Sequence, residues 1–422
     1  MRRQGAFDQV RRFVMDTQQL VSFYKKEIEE NFWPFWEKAF DNEAGGVFTC
    51  FSNDGSTLVS KDKYTWSQGR FLWLCAELYR LVEQGKVTLN KKRLKEMADK
   101  TYHFLINHTL KENKYVLYAA THDGKPIKGQ EDISVFADCF FVIGVTKYAD
   151  VFHDETAFDQ AYNIYESIHH RIEQGYFRTE PYPIPIGYSS HSIQMIMLNV
   201  AQEVEETAEK LSKPVVKKAK QISARILQEF ILEDGRIVEL RPMDSSNKDT
   251  LLANHVNPGH ALESVWFHVH SLHEWEEKEQ HKNLQILANV TRQAIQLGWD
   301  DEHGGLLRFV DKNGTEPAGR LINDPYEKLI LDTWDTKLWW PHSEALYTLL
   351  LLYKQTKDEL FLHWYKTFFE YSFSIFPNPN KEIGEWIQIR DRRGEPLQKV
   401  VALPVKDPFH ILRNFILILK LF

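Results

Sequence analysis

Histidines and glutamates recur near the starts of apolar segments, at spacings that would suit proton transfer. In NPGHALESVWF (257–267), His260 follows a Pro-Gly pair and Glu263 lies three residues later. If this segment is helical, both side chains share one face, where a carboxylate fixes the tautomer of the imidazole and raises its pKa. The pattern indicates a general base, or alternatively a polar cap at the start of a helix.

Two further segments repeat this arrangement. KLWWPHSEALYTLL (337–350) carries His342 and Glu344 after a proline, and KDPFHILRNF (406–415) carries His410 after another. Because proline is tolerated in the first turn of a helix, each of these histidines is predicted to stand at a helix start. A single histidine in such a place is more often structural than catalytic. Three in equivalent places favour one shared site.

A metal centre is the weaker interpretation of the histidine-rich stretch 255–270. His268 and His270 would lie about 200° apart around a helix, so they cannot chelate one ion together. His260 and Glu263 would need two more ligands from elsewhere to complete a tetrahedral site. We therefore predict no metal.

Polar and aromatic residues also precede a strongly apolar helix in KYTWSQGRFLWL (63–74). Arg70 would place a guanidinium on a buried helix, and this requires an anionic partner or ligand. A structural ion pair is the alternative. The neighbouring residues that we expect to contact a ligand are Tyr64, Trp66 and Gln68.

Three more residues at helix starts are candidate ligand contacts. In YSSHSIQMIMLNV (188–200), His191 would either donate a hydrogen bond to a ligand or cap its own helix. Trp339 and His342 stand at the start of the 337–350 segment, where an indole ring could stack on the apolar face of a sugar.

Amphipathic helices separated by short strand-like turns must position these residues. Apolar residues at three- and four-residue spacings predict helices over most of the chain. Asp-Gly, Asn-Gly or Arg-Gly pairs, which favour tight hairpins, recur in 45–57, 113–127, 231–240, 304–317 and 384–397, and a proline-containing sixth member is 175–188. Successive turns leave room for two helices each, so we predict an all-α (α/α)6 barrel with short β-hairpins at one rim. An open solenoid of helical hairpins is the alternative.

Composition argues against a nucleic-acid-binding, secreted or membrane protein. The 422 residues are 43% hydrophobic and 26% charged, with a net charge of −7, so the chain is expected to repel nucleic acid. The N-terminal segment MRRQGAFDQVRRFV lacks a signal-peptide pattern, the three cysteines form no disulfide framework, and no apolar stretch is long enough for a membrane span. We expect one domain over 1–422, located in the cytoplasm, with no membrane or nucleic-acid partner.

Several ordered blocks resemble the N-acylglucosamine 2-epimerase family. The similarity runs from about residue 30 to the C-terminus. The blocks that carry it are GGVFTCFSNDG, KDKYTWSQGRFLWL, NPGHALESVWF, GGLLRFVDKNG, KLWWPHSEAL and DPFHILR. The (α/α)6 barrel is also the fold of this family.

The resemblance implies epimerisation of a free sugar at C2, as between N-acetylglucosamine and N-acetylmannosamine, through an enediolate. It places the acid/base pair on His260 and His410, and the residue that stabilises the oxyanion on Arg70. Glu344 is also counted in the site, and Glu263 would orient His260. It implies no required cofactor, and it leaves open ATP as an allosteric effector, to which some animal members respond. We also expect a homodimer.

Other functions remain open from the sequence. A close alternative is an epimerase or aldose–ketose isomerase for mannose or glucose. A glycoside hydrolase would need two opposed carboxylates at the catalytic centre, against which the histidine-rich pattern argues. A non-catalytic sugar- or protein-binding module is the third alternative.

Overall fold

Helices make up most of the chain in the computed structural model, which describes residues 17–398 and 405–422. The N-terminal segment on which the signal-peptide expectation rests, residues 1–14, lies outside these described residues. The α-helices are α1 Thr17–Lys26, α2 Trp33–Lys38, α3 Thr65–Glu83, α4 Lys91–Phe104, α5 Val135–Phe152, α6 Glu155–Glu173, α7 His191–Lys210, α8 Ala219–Glu229, α9 Leu251–Asn254, α10 Pro258–Ser271, α11 Glu277–Gly298, α12 Pro325–Thr333, α13 Trp339–Thr356, α14 Glu359–Ile375 and α15 Phe409–Leu421. Short π-helical turns at Glu27–Phe32 and Leu105–Thr109 follow α1 and α4.

The helices form a closed ring of pairs. The inner helices α3, α5, α7, α10, α13 and α15 contact one another in this order, and α15 returns to contact α3. Each inner helix also packs against an outer helix, namely α4, α6, α8, α11, α14 and, for α15, α1. The inner helices are buried on nearly all sides because they face the barrel centre as well as the outer layer. The predicted (α/α)6 barrel is thus confirmed, and the open solenoid is wrong.

The short strands lie at the rim where the inner helices begin. They are β1 Lys63–Tyr64, β2 Ala119–Ala120, β3 Tyr188–Ser190, β4 Leu240–Pro242, β5 Lys337–Leu338 and β6 Ile389–Arg390. β1, β3 and β5 each lead directly into an inner helix and pair antiparallel with β2, β4 and β6. The ladders therefore join neighbouring repeats at the rim.

The Asp-Gly, Asn-Gly and Arg-Gly pairs form the tight turns that the sequence predicts. Gly55, Gly124, Gly235, Gly314 and Gly394 all have positive φ angles, which only glycine adopts without strain. The turns, however, close isolated bridges such as Phe51↔Leu58 and Ile231↔Ile237, and the paired strands described above come from different repeats.

Helices α3 and α5 approach each other unusually closely at two glycines. A Cβ atom added to Gly69 would lie 2.0 Å from the Phe140 carbonyl oxygen, and one added to Gly144 would lie 2.2 Å from the Gly69 carbonyl oxygen. This contact holds Arg70 beside the ring of Phe140, whose centroid is 4.0 Å from the guanidinium carbon. Across the described residues, no helix has the length and apolar character needed to cross a membrane.

Candidate active site

A cavity of about 220 Å³ lies at the rim, among the first turns of the inner helices. We call it the upper cavity. When each inner helix is numbered from its first residue, positions 2 and 6 share a face because they are four residues apart. In several repeats this face lines the upper cavity. The residues concerned are Trp66 and Arg70 on α3, Phe136 and Phe140 on α5, Ser192 and Ile196 on α7, Glu263 on α10, Trp340 on α13 and His410 on α15.

In α3, α5 and α13, position 4 points away from the cavity and supports the rim backbone. The side-chain amide of Gln68 accepts from the Val47 N–H at 2.7 Å and donates to its carbonyl at 2.9 Å. His342 occupies the same position in α13: its Nε2 accepts from the Leu306 N–H at 2.9 Å and its Nδ1 donates to the Leu338 carbonyl at 2.6 Å. Neither residue lines the upper cavity, so their expected contact with the substrate is not supported.

Burial accounts for the electrostatic state of these supporting residues. Desolvation lowers the pKa of His342 to about 3, so its imidazole is neutral and serves as a fixed hydrogen-bonding unit. Asp138 at position 4 of α5 has the same structural role, since it accepts from the Val116 N–H at 2.8 Å. Burial raises the pKa of Asp138 to about 7, against the opposing effect of Arg171.

His410 is held by a carboxylate on one side and a guanidinium on the other. Its Nδ1 donates to Glu344 at 2.6 Å, and its Nε2 lies 3.3 Å from Nη2 of Arg70. Because a guanidinium can only donate, this contact favours the tautomer in which Nδ1 carries the proton and Nε2 accepts. Asp407 fixes the arrangement, since it accepts from Arg70 Nη1 at 2.9 Å and from the His410 backbone N–H at 3.1 Å.

A buried ionic network supports His410 from below. Nη2 of Arg413 donates to Glu263 at 2.5 Å and to Glu344 at 2.8 Å, and Trp266 donates to the other oxygen of Glu344 at 2.7 Å. Burial favours the neutral form of Glu344, but Arg413, His410 and Trp266 outweigh it and hold its pKa below the usual range. Glu344 is therefore an anion that orients His410.

His260 has a different carboxylate partner from the one expected. Its Nδ1 hydrogen-bonds to Glu239 at 3.0 Å, whereas the hydrogen bond of Glu263 goes to Arg413. Burial opposes the charged imidazole, but the Glu239 carboxylate overcomes this and raises the pKa of His260. The expectation that Glu263 orients His260 is thus corrected: Glu239 does so.

His191 lies behind the cavity wall. It is fully buried, its Nε2 lies 3.1 Å from the hydroxyl of Ser264, and its Nδ1 lies 3.7 Å from Glu239. His191 thus borders the carboxylate that holds His260, and it does not line the upper cavity. Its expected direct contact with a ligand is not supported.

The aromatic candidates divide into two groups. Trp66 and Trp339 line the upper cavity, and the indole nitrogen of each is buried without a hydrogen-bond partner among the described residues. Tyr64, in β1, packs edge-on against Tyr118 at 5.5 Å between ring centroids and is not part of the cavity wall. Trp340, which the sequence analysis did not single out, packs between the two catalytic candidates, its ring centroid 5.2 Å from His260 and 5.6 Å from His410.

One cluster has the composition of a metal site. Ligand atoms of Glu263, Glu344 and His410 lie within 4.8 Å of one another. The cation that these carboxylates face is the guanidinium of Arg413, which already hydrogen-bonds to one oxygen of each. The donor set is thus organised around an arginine.

Sequence reasoning missed four groups of the site. Asp407 directly precedes the Pro-Phe-His block. Because aspartate is favoured just before a helix, Asp407 could have been predicted as a capping residue. Arg413 is one turn beyond His410, which places it on the same helix face. Glu239 and Trp340 had no comparable local signal, because their positions depend on the pairing of β3 with β4 and on the rotation of α13.

Comparison with known proteins identifies the family of this chain. The family model for N-acylglucosamine 2-epimerase (GlcNAc 2-epimerase) matches residues 46–413. The chain belongs to the N-acylglucosamine 2-epimerase family. It is 29% identical over 412 residues to the N-acylglucosamine 2-epimerase of Mus musculus, an alignment that covers 93% of this chain and 90% of the mouse protein.

Solved structures share the barrel at lower sequence identity. The cellobiose 2-epimerase of Bacillus thermoamylovorans superposes with a TM-score of 0.74 at 18% identity, over 96% of this chain and all of that one. A D-mannose isomerase superposes with a TM-score of 0.72 at 17% identity, over 95% of this chain and 98% of that one. These similarities show the fold that the N-acylglucosamine 2-epimerase family shares with other sugar-converting enzymes.

Proposed function

We propose that this protein interconverts N-acetylglucosamine and N-acetylmannosamine by inverting C2. The observation that supports it best is that His260 and His410, each held by its own carboxylate, reach one cavity that also contains Arg70. Inversion requires a base on one face of a planar intermediate and an acid on the other. Two separately supported imidazoles supply both.

The hydrogen bonds support a different starting role for each histidine. Nε2 of His410 carries a lone pair, so it is the base that takes the C2 proton of the open-chain aldose. The electron pair moves onto the carbonyl oxygen and gives an enolate that keeps the acetamido group at C2. His260, whose pKa is raised, then donates its proton to the opposite face of C2. In the reverse reaction the two histidines exchange roles.

Arg70 stabilises the charge that develops during this step. Its Nη2 lies 3.3 Å from the basic nitrogen of His410, so a positive charge lies next to the place where the proton is removed. Burial increases the effect of such a charge on a developing oxyanion. Acid, base and electrostatic stabilisation are thus all supplied by side chains, and we propose that no cofactor takes part in the step.

The upper cavity suits a monosaccharide. At about 220 Å³ it is smaller than the roughly 300–1,000 Å³ of typical small-molecule pockets, which argues against a longer sugar. Phe136, Phe140 and Ile196 give part of its wall an apolar surface, which fits the methyl group of an N-acetyl substituent.

Isotope incorporation in heavy water tests the mechanism. N-Acetylglucosamine incubated with the enzyme in deuterated water should yield N-acetylmannosamine with deuterium at C2, measured by NMR. His260→Ala and His410→Ala should each abolish inversion. A product with no deuterium at C2 would instead indicate hydride transfer, and full turnover by either variant would refute the two-histidine scheme.

A second candidate is an aldose–ketose isomerase or epimerase of mannose-type sugars. An aldose with a hydroxyl group at C2 gives an enediolate in the same step, and this intermediate becomes a ketose when C1 is protonated and the O2 proton moves to O1. Supplying N-acetylglucosamine, mannose and glucose in parallel separates the two. A ketose as the main product would replace the first proposal.

We further propose that the protein works as a cytoplasmic homodimer of single-domain chains, without membrane or nucleic-acid partners. The net charge of −7 supports the exclusion of nucleic acid. Light scattering coupled to size-exclusion chromatography measures the mass directly, and repeating the epimerase assay with and without ATP tests whether the nucleotide is an effector.

A further inference from the structure

A second and larger space lies at the opposite end of the barrel; we call it the lower cavity. Its volume is about 840 Å³. Its walls come from the middle and C-terminal parts of inner helices, with Asn199 on α7, His270 on α10, Leu351 on α13 and Leu417 on α15. None of these four residues lines the upper cavity. The proposed chemistry of the upper cavity therefore gives this space no role.

Asn199 presents an unsatisfied amide at this wall. Its side chain is only 6% exposed, yet it makes no hydrogen bond to any of the described residues. Because this amide lines the lower cavity, its hydrogen bonds are free for a molecule that enters the cavity. The amide offers both a donor and an acceptor, which matches a hydroxyl group.

The rest of the wall selects against anions. Aromatic side chains of Trp73, Trp266 and Tyr347 supply flat apolar surface. The wall carries six carboxylates, Glu203, Glu205, Glu206, Glu209, Glu274 and Glu277, against four cations, Lys147, Lys217, Lys420 and Arg413. Carboxylates accept hydrogen bonds from hydroxyl groups but repel phosphate, so polyphosphates are disfavoured.

We propose that the lower cavity is a second binding site for a neutral polyhydroxylated ligand, that is, a free sugar or glycoside. Hydroxyl groups would pair with Asn199 and the carboxylates, and a pyranose face would stack on an indole ring. Binding at this site does not depend on the proposed epimerase function.

Arg413 gives the site a route to the upper cavity. This residue belongs to the wall of the lower cavity, and its Nη2 bonds to Glu263 and Glu344, the second of which holds His410. A ligand that draws the guanidinium toward itself would weaken the hold on Glu344 and change the turnover rate. This coupling rests on the proposed function.

Saturation-transfer NMR with methyl α-D-glucopyranoside tests the site without any need for activity. This glycoside cannot open its ring, so it is not a substrate. Ile196→Trp fills the upper cavity, and Met195→Trp serves if that variant fails to fold, as judged by circular dichroism. In this blocked background, Asn199→Leu removes the amide of the lower cavity. Asn289→Leu on the outer helix α11, which lines neither cavity, is the matched control.

We expect the blocked protein to keep its saturation signal, Asn199→Leu to reduce it at least five-fold, and Asn289→Leu to leave it unchanged. Loss of the signal on blocking the upper cavity alone, or an unchanged signal in Asn199→Leu, overturns the proposal. Displacement of the glycoside by ATP more readily than by glucose overturns the assigned ligand class.

Turnover gives a separate readout of the coupling. At saturating substrate, competition in the upper cavity vanishes, so the glycoside should change kcat at least two-fold in the wild type and not in Asn199→Leu. An unchanged wild-type kcat refutes the coupling through Arg413. Absence of any wild-type turnover would refute the proposed function and leave the NMR result to decide the site.

Discussion

Replacing Glu239 by glutamine should shift the pH dependence of turnover. The hydrogen bond from His260 to this carboxylate is 3.0 Å long, and the side chain of Glu239 is only 4% exposed. A hydrogen bond to a charged group contributes about 1.5–3 kcal/mol. If this energy is lost in the transition state, kcat near neutral pH falls roughly ten- to hundred-fold, since each factor of ten corresponds to about 1.4 kcal/mol.

The direction of the pH shift follows from the charge. Glu239 raises the pKa of His260, so the amide in Glu239→Gln lowers it again. The alkaline limb of the kcat profile, which reports loss of the protonated acid, should therefore move to lower pH. The acid limb should move less, because the contacts of His410 are untouched.

Stability changes in a matching pH window. A raised pKa in the folded state stabilises the protein fully below the unfolded value of about 6.5, and this contribution disappears as pH rises through the folded value. Glu239→Gln should therefore lower the free energy of unfolding more at pH 6 than at pH 9. Urea denaturation at the two pH values measures the difference.

A surface pair provides the control. Glu302 lies 3.6 Å from His303 with its own side chain 68% exposed, so Glu302→Gln should change neither profile nor stability. If Glu239→Gln keeps the wild-type alkaline limb while remaining folded, Glu239 does not set the acidity of His260 and the assignment of the acid fails.

Substitutions at three further positions test the supports of the site. Arg413→Met leaves buried carboxylates without their cation, so the free energy of unfolding measured in urea should fall by about 3–5 kcal/mol. A decrease of less than about 1 kcal/mol would contradict the proposed stabilising role of this network. His342→Ala should lower the free energy of unfolding by about 1–3 kcal/mol, because the Leu306 N–H loses its acceptor. His342→Gln should recover this stability and keep kcat close to the wild-type value. A large loss of kcat in His342→Gln would instead place the imidazole in the chemistry. Gly69→Ala should reduce the melting temperature or prevent folding, since its Cβ would meet the Phe140 carbonyl oxygen at 2.0 Å, and an unchanged melting temperature would argue against the close helix contact.

Most of the fold could be predicted from local patterns in the sequence. Helical periodicity and recurrent Xaa-Gly turns predicted the ring of helix pairs, because both depend on neighbouring residues. The strand pairing between repeats was not predicted, since β1 and β2 belong to different repeats about 55 residues apart.

Part of the site could also be predicted, because several of its residues lie in local sequence patterns. His260, His410 and Arg70 stand in blocks that mark helix starts, and the structure brings all three to one cavity. His342 resembled them in sequence but occupies position 4 of its helix, which faces the rim. Its role depends on the rotation of the helix about its axis, and a single histidine next to a proline does not report that rotation.

The alternation between positions 2 and 6 on one side and position 4 on the other has a consequence for engineering. Residues that determine what the cavity binds and residues that hold the rim in shape occupy different faces of the same helical turn. In α3, Trp66 and Arg70 belong to the first set and Gln68 to the second. New specificities can therefore be sought by randomising the inward positions other than Arg70 and His410, while the outward ones stay fixed, so that a library retains its fold and its proposed chemistry as its ligands change.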